Sequence, residues 1–276
     1  MFKIISATWL APAVKRFIID APRIANSHKP GHFVIIRLSE DGERIPLTIA
    51  HSDKQAGTIT LIVQAIGDTT KDLCNMESGQ EILDVAGPLG KATTMKKFGH
   101  VVLIGGGVGT AVIAPQAAAL KDCGNTVTAI IGGRSKEYVI LEDELKHSCA
   151  AVYPCTDDGS YGFHGLVTAK LQELIDSNAK VDCVITAGPV PMMRAVAETT
   201  RPYSIHTVAS LNPIMVDGTG MCGGCRVIVG GKTLFACVDG PEFDAHQVDF
   251  ADLTARLRTY DQPKPPQTDH CKMKKI

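Results

Sequence analysis

The sequence predicts an antiparallel β-barrel followed by an α/β unit built on a doubly wound parallel sheet, with a small C-terminal hairpin segment. Three observations predict it. Short runs of alternating apolar and polar residues fill positions 1–98, buried strands alternate with amphipathic stretches from residue 100, and glycine and cysteine crowd together after residue 210. A chain of 276 residues suits two compact units at roughly 100–200 residues each.

In the first unit the runs FKIISATW, VKRFIID, HFVIIRLS, IPLTIAH, TITLIVQAI and EILDVAG read as six strands. They are punctuated by turn residues at Pro22, Pro30-Gly31, Asp41-Gly42, Ala56-Gly57 and Ser78-Gly79. A short helix is predicted from about Thr69 to Met76, capped by Asp68 or Thr69. In the second unit VVLIGG (101–106), TVTAIIGG (126–133), AVYPCT (151–156), VDCVITAG (181–188) and YSIHTVAS (203–210) read as strands separated by helical stretches. RVIV and TLFAC around Gly230-Gly231 form one hairpin, too small to fold alone. The expected partition is 1–98, 99–210, 211–250 and a tail over 251–276, rich in Pro, Lys and Gln beyond Tyr260.

Composition excludes several classes of function. With 28 basic and 29 acidic residues there is no charge excess for nucleic acid or an anionic membrane, so neither is an expected partner. No run approaches the ~20 apolar residues of a spanning helix, and the N-terminus lacks a secretory pattern. A soluble, cytoplasmic protein is the expectation. Nine cysteines, odd in number and unevenly spaced, argue against a disulfide framework.

The sharpest motif is Asp217-x4-Cys222-x2-Cys225-x11-Cys237. A two-iron cluster needs four anionic donors, and plant-type ferredoxins arrange them as C-x4-C-x2-C with a distant fourth cysteine. Here aspartate stands first, and a remote cysteine is the alternative fourth donor. Gly218, Gly220, Gly223 and Gly224 allow the backbone to loop closely and aim N–H groups at sulfur. Two plainer readings compete: structural zinc on the three cysteines with Asp217 or His246, and inert core thiols. Zinc ribbons usually carry two Cys-x2-Cys pairs, and a glycine-rich loop makes a poor apolar core, which favours a [2Fe–2S] cluster.

Gly105-Gly106-Gly107-Val108-Gly109-Thr110 follows a buried strand and opens a helix, where free N–H groups receive a pyrophosphate. Such a turn by itself is weak, Thr110 replaces the third glycine of the dinucleotide fingerprint, and no ribose-binding acid ends the second strand, which disfavours an ordinary dehydrogenase. Arg134 follows that strand as a candidate ribose or phosphate contact. Asp157-Asp158 end the third strand and Gly188-Pro189 with Met192-Met193 the fourth, within reach of a nicotinamide. The plain alternatives are a solvated arginine, a turn with a helix cap, and ordinary core methionines. In the first unit Pro46-Leu47-Thr48 and Gly67-Asp68-Thr69-Thr70 can hold a flavin ring and its phosphates, although on spacing alone such residues more often mark an edge strand and a helix cap.

Taken in order, the barrel, Gly105–Thr110, TDDGS, AGPVPMM and DGTGMCGGC resemble the ferredoxin–NADP+ reductase superfamily. More narrowly, the chain is similar to the small subunits of NADH-dependent reduced ferredoxin:NADP+ oxidoreductases, with electron-transfer subunits of dihydroorotate dehydrogenase as the neighbouring branch. The resemblance covers about residues 1–250, and DGTGMCGGCRV is its specific part. It implies FAD on the barrel, NAD(H) on the second unit and a [2Fe–2S] cluster on the hairpin, in an enzyme subunit that needs no acid–base residue. It implies flavin contacts at Pro46, Leu47, Thr48, Val63, Gln64, Gly67, Thr69 and Thr70. Nucleotide contacts are implied at Gly105, Gly107, Gly109, Thr110, Arg134, Asp157, Asp158, Gly188, Pro189, Met192 and Met193. Asp217, Cys222, Cys225 and Cys237 become the iron ligands. The family also implies a heterodimer with a larger flavin and iron–sulfur subunit, through which ferredoxin is reached. Dihydroorotate-type subunits carry cysteine where Asp217 stands, and many superfamily members carry arginine where Ile45 stands; whether Arg44 takes over a flavin phosphate is left open.

Overall fold

The computed structural model describes residues 1–177 and 180–260; the expected tail from 261 onward lies outside them. Seven strands form the first sheet: β1 (Phe2–Ala11), β2 (Val14–Asp20), β3 (Phe33–Arg37), β4 (Ile45–Asp53), β5 (Thr58–Gln64), β6 (Glu81–Ile82) and β7 (Asp84–Leu89). Their order is β6-β1-β2-β5-β4-β3-β7, and every pairing is antiparallel. The two-residue period places Phe17 and Ile19 opposite Leu61 and Ile59, all four fully buried. The sixth expected strand is two. The run EILDVAG breaks at Leu83, so that β6 pairs with β1 at one edge and β7 with β3 at the other. That crossing nearly closes the barrel, and alternation alone does not reveal it because both halves keep the same period.

Helix α2 (Asp68–Cys74) lies where the sequence places it. Helix α1 (Pro22–Ser27) does not appear in the sequence reading, where Pro22 counts as a turn residue; it occupies the first helical turn, where its missing N–H costs nothing. Lys15 on β2 is 1% exposed, and its Nζ donates to the carbonyls of Cys74 and Met76 at 3.1 and 2.9 Å and to Glu77 at 2.7 Å. A buried cation thus caps the carbonyl end of α2.

The second sheet contains β8 (His100–Gly106), β9 (Thr126–Gly133), β10 (Ala151–Thr156), β11 (Phe163–His164), β12 (Cys183–Ala187) and β13 (His206–Ser210), all parallel. Its order, β11-β10-β9-β8-β12-β13 with β16 (Glu242–Asp244) at the far edge, reverses between β8 and β12, which opens a crevice beyond their carboxyl ends. Helices α3 (Thr110–Asp122), α4 (Glu142–Ser148), α5 (Val167–Asp176) and α6 (Val190–Thr200) connect or flank the strands. Ala111 on α3 joins Ala11, Val14, Ala50, Ile62, Ile140 and Leu141 in an apolar seam between barrel and sheet.

The C-terminal segment is docked onto both larger units. The hairpin β14 (Arg226–Val229) and β15 (Lys232–Phe235) forms as read, but β16 (Glu242–Asp244) then joins the second sheet antiparallel to β13. Helix α7 (Phe250–Leu257) runs through the expected boundary at 250, and its Phe250 and Leu253 are buried. Cys225, Val227, Ala236 and Cys237 share a core with Phe33 and Ile35 of β3, Met193 of α6 and Leu253 of α7. The small hairpin cannot bury enough surface by itself, so it draws its core from both larger units.

Candidate redox site

Asp217, Cys222, Cys225 and Cys237 converge as two pairs. The Cys222 thiol lies 3.4 Å from Asp217 Oδ1, and the sulfurs of Cys225 and Cys237 are 3.1 Å apart. Among the described residues no three His, Cys, Asp or Glu side chains gather around one point as a single metal ion requires. A two-plus-two donor set suits a two-iron group better than mononuclear zinc. His246, the other candidate zinc donor, is engaged elsewhere, with Nε2 2.9 Å from Thr200 Oγ1.

The loop is built to hold negative charge. Gly218, Gly220 and Gly223 adopt positive φ, which lets the chain coil around the donors. Gly224 N–H donates to Cys222 Sγ at 3.4 Å and Cys237 N–H to Cys225 Sγ at 3.5 Å, and the Gly220 amide also reaches Cys237. Asp217 Oδ2 accepts from the amides of Met221 and Cys222 at 3.1 and 3.0 Å, and Oδ1 from Thr219 N–H at 3.1 Å. Desolvation pushes its carboxyl upward, but these bonds and those from the Cys222 thiol and Thr219 hydroxyl outweigh it and hold it at about 2. Cys225 and Cys237 are each 1% exposed; burial, and then the neighbouring Cys225 thiol, push Cys237 up to about 12. A protonated thiol of this kind ionises when iron binds it. An ionised carboxylate, three thiols and inward N–H groups therefore fit the cluster expected from the sequence.

Beyond β8 and β12 the two glycine-bearing turns meet. A Cβ on Gly106 would lie 2.5 Å from Met192 Sδ, and one on Gly188 3.1 Å from the Gly106 nitrogen; a side chain on Gly109 would collide with the Ala187 carbonyl. Gly107, at φ +54°, faces open space. Pro189 caps α6, so two helix starts border this gap, with Gly105 closed behind it against Thr110. Beside it, Asp157 N–H donates to the Gly133 carbonyl and Asp158 N–H to that of Arg134, both at 3.2 Å, which gathers Arg134, Asp157 and Asp158 at one edge. Asp158 is held down by the Ser160 hydroxyl and amide, as in a self-closed turn.

On the barrel, Pro46, Leu47 and Thr48 are half-buried and pair with Ile35, Val34 and Phe33. Gln64 ends β5 opposite Val14. The Thr70 hydroxyl accepts from the Ile66 and Gly67 amides at 3.0 Å each, and Thr69 donates to Glu43 at 2.8 Å. Three expected contacts, Val63, Thr110 and Met193, are sealed in the core at 1%, 1% and 0% exposure. The sequence names Gly106 and Gly220 only as members of glycine runs and leaves open whether Arg44 reaches a flavin phosphate. The first two sit inside glycine runs whose spacing does not rank their members. Arg44 Nε donates to the Val216 carbonyl at 2.8 Å, a contact 172 positions away that no local pattern signals.

Comparisons with known proteins agree with this geometry. Residues 212–249 match the iron–sulfur cluster binding domain of dihydroorotate dehydrogenase B. A dihydroorotate dehydrogenase B (NAD(+)) electron transfer subunit homolog from Thermotoga maritima is 44% identical over 258 residues, covering 94% of this chain and 91% of the relative. A probable electron transfer subunit of that enzyme from Methanocaldococcus jannaschii is 32% identical over 241 residues, covering 87% of each. Among solved structures, an NADH-dependent reduced ferredoxin–NADP oxidoreductase studied for flavin-based electron bifurcation superposes with a TM-score of 0.90 at 42% identity, covering 94% of both chains. Phthalate dioxygenase reductase, at 16% identity and a TM-score of 0.62, shares the fold. With its barrel, its switch-point crevice and its donor loop, the chain belongs to the family of dihydroorotate dehydrogenase B electron-transfer subunits and their homologues, oxidoreductase subunits of ferredoxin-reductase-like fold.

Proposed function

We propose that this chain moves electrons between NAD(H), FAD and a [2Fe–2S] cluster as the small subunit of an electron-bifurcating ferredoxin:NADP+ oxidoreductase. The observation that carries the reading is the split of Asp217–Cys222 and Cys225–Cys237 into two close donor pairs. Bound flavin and cluster would supply the exchange of a two-electron hydride for single electrons. The residues present do the positioning. Backbone N–H groups from Gly105 to Gly109, with those of Val190 and Met192 at the start of α6, where Pro189 and Pro191 have none, receive nucleotide phosphates, with the Met192 side chain walling the gap and Arg134, Asp157 and Asp158 at its edge. The β4 backbone over Pro46–Thr48 supports the flavin ring, with Gln64, Gly67, Thr69 and Thr70 near its phosphates. Burial of Cys225 and Cys237 excludes water from one side of the cluster.

The other side faces outward. Met221 is 88% exposed, and Val216 and Val238 are also exposed apolar residues on the same loops. This apolar collar supports docking of a larger flavin and iron–sulfur subunit, through which ferredoxin is served. The relatives in Thermotoga maritima and Methanocaldococcus jannaschii, named for dihydroorotate dehydrogenase B, favour a second reading, a dihydroorotate-oxidising partner. Asp217 in the position where that branch carries cysteine favours the first.

Anaerobic coexpression with the companion chain, followed by absorption spectroscopy and iron and acid-labile sulfide analysis, tests the reading. Flavin bands with two irons per chain support it, and a colourless zinc protein sinks it. Copurification with a dihydroorotate-oxidising flavoprotein transfers the chain to the second reading. A free monomer in native extract defeats the heterodimer.

A further inference from the structure

We propose that Arg44 is a positioning residue for the cluster, and that Glu43-Arg44 form a strut between the start of α2 and the donor loop. This rests on reading Asp217–Cys237 as a cluster site. The two neighbouring side chains reach in different directions: Glu43 Oε2 accepts from Thr69 Oγ1 at 2.8 Å, while Arg44 Nε donates to the Val216 carbonyl at 2.8 Å. Val216 immediately precedes Asp217, so the guanidinium grips the peptide unit that orients the carboxylate.

Around Asp217 the loop is organised from within, while further along it Arg256 Nη2 of α7 donates to the Gly224 carbonyl at 3.1 Å. Thr219, Met221 and Cys222 all donate to Asp217. Internal bonds shape a loop without placing it. Placement against the barrel comes from the core that Met215, Cys225 and Cys237 share with Phe33 and Ile35, from the close approach at Gly218, where a Cβ would lie 2.7 Å from Leu89 and 2.9 Å from Ile35, and, beside Asp217, from the directional Arg44 bond. Apolar contact resists separation but permits sliding, whereas a hydrogen bond fixes direction. Arg44 also brings a permanent positive charge to within one residue of a ligand, which favours the reduced form of a nearby cluster.

The experiment compares wild type with Arg44→Ala, Arg44→Lys and Glu43→Gln in the full chain with its companion subunit. The readouts are EPR spectrum, cluster midpoint potential, rate of iron release to a chelator and FAD content. Arg44→Ala is expected to release iron several-fold faster, to alter the EPR spectrum and to shift the potential to more negative values. Arg44→Lys keeps the charge without Nε, so it restores most of the potential but not the slow iron release. Glu43→Gln weakens the acceptor for Thr69 and gives a smaller change in the same direction. Loss of FAD with unchanged cluster readouts, or no change in any readout, overturns the proposal. Should Arg44→Ala fail to fold, the lysine variant decides: wild-type iron release overturns it. If wild type itself holds no iron, the functional reading fails first. Amide hydrogen exchange in the cluster-free chain then decides the strut, which requires faster exchange at Thr219, Met221 and Cys222 in the Arg44 variants; equal rates overturn it.

Discussion

Thr93 Oγ1 donates a 2.6 Å hydrogen bond to Glu242 Oε1, which also accepts from Gln116 Nε2 at 2.7 Å. One largely buried carboxyl thereby joins the link after the barrel, helix α3 and strand β16. Desolvation raises its pKa from 4.5 to about 7, against the pull of the two hydrogen bonds. The native state holds this proton more tightly than the unfolded chain. Its contribution is therefore complete below the ordinary glutamate range and is lost as pH rises to about 7. The size is on the order of 3 kcal/mol. Glu242→Gln should remove this slope: the difference in urea stability between variant and wild type should change from about pH 4.5 to about 7 and be flat above. A constant difference across that range would refute it.

Lys15 lies inside the barrel, with Nζ 5.1 Å from the Trp9 ring and bonded to two carbonyls at the end of α2. Lys15→Met keeps the apolar stem but leaves those carbonyls without a donor. Urea denaturation should show a loss of about 3 kcal/mol, since each buried acceptor forfeits its desolvation compensation while the exposed Glu77 regains water. A loss below about 1 kcal/mol would mean that water replaces the ammonium.

Gly106 and Met192 fit together only because the glycine has no side chain. Gly106→Ala forces Met192 Sδ, 2.5 Å from the new Cβ, to move into the gap between the glycine turns. NADH affinity measured by calorimetry should fall about tenfold, or about 1.4 kcal/mol. Adding Met192→Ala should recover much of the loss, because two residues in contact are not additive. Unchanged affinity in the single variant would place the nucleotide elsewhere.

Asp217 orders its loop through amide bonds and stands where a ligand is needed. Asp217→Cys should retain two irons with a changed EPR spectrum, because a thiolate bonds iron more covalently than a carboxylate. Asp217→Ala removes both donor and loop acceptor and should lower iron content sharply. Full iron content and a wild-type spectrum in Asp217→Ala would exclude ligation.

Local chemistry made much of this molecule legible. Alternation placed Phe17, Ile19, Ile59 and Leu61 in one core because a strand's side chains have a fixed period of two, and the spacing from Asp217 to Cys237 marked a donor set because iron geometry constrains spacing. Short-range patterns left open whether Met193 faces a ligand or the core, and did not reveal that residues 250–257 form a helix whose Phe250 and Leu253 are buried. Each depends on which distant surface covers it.

The amino-acid sequence by itself determined the barrel, the parallel sheet, the glycine turns and the candidate ligands, all of which follow from periodicity, turn conformation and donor spacing within a few dozen residues. Only the tertiary structure decided that β6 and β7 lie at opposite edges, that β16 completes the second sheet, that the four donors form two pairs, and that Arg44 reaches Val216. The physical reason is that these are contacts between segments far apart in the chain. Burial and hydrogen-bond satisfaction are settled there by the whole packed molecule, and no local rule encodes the outcome.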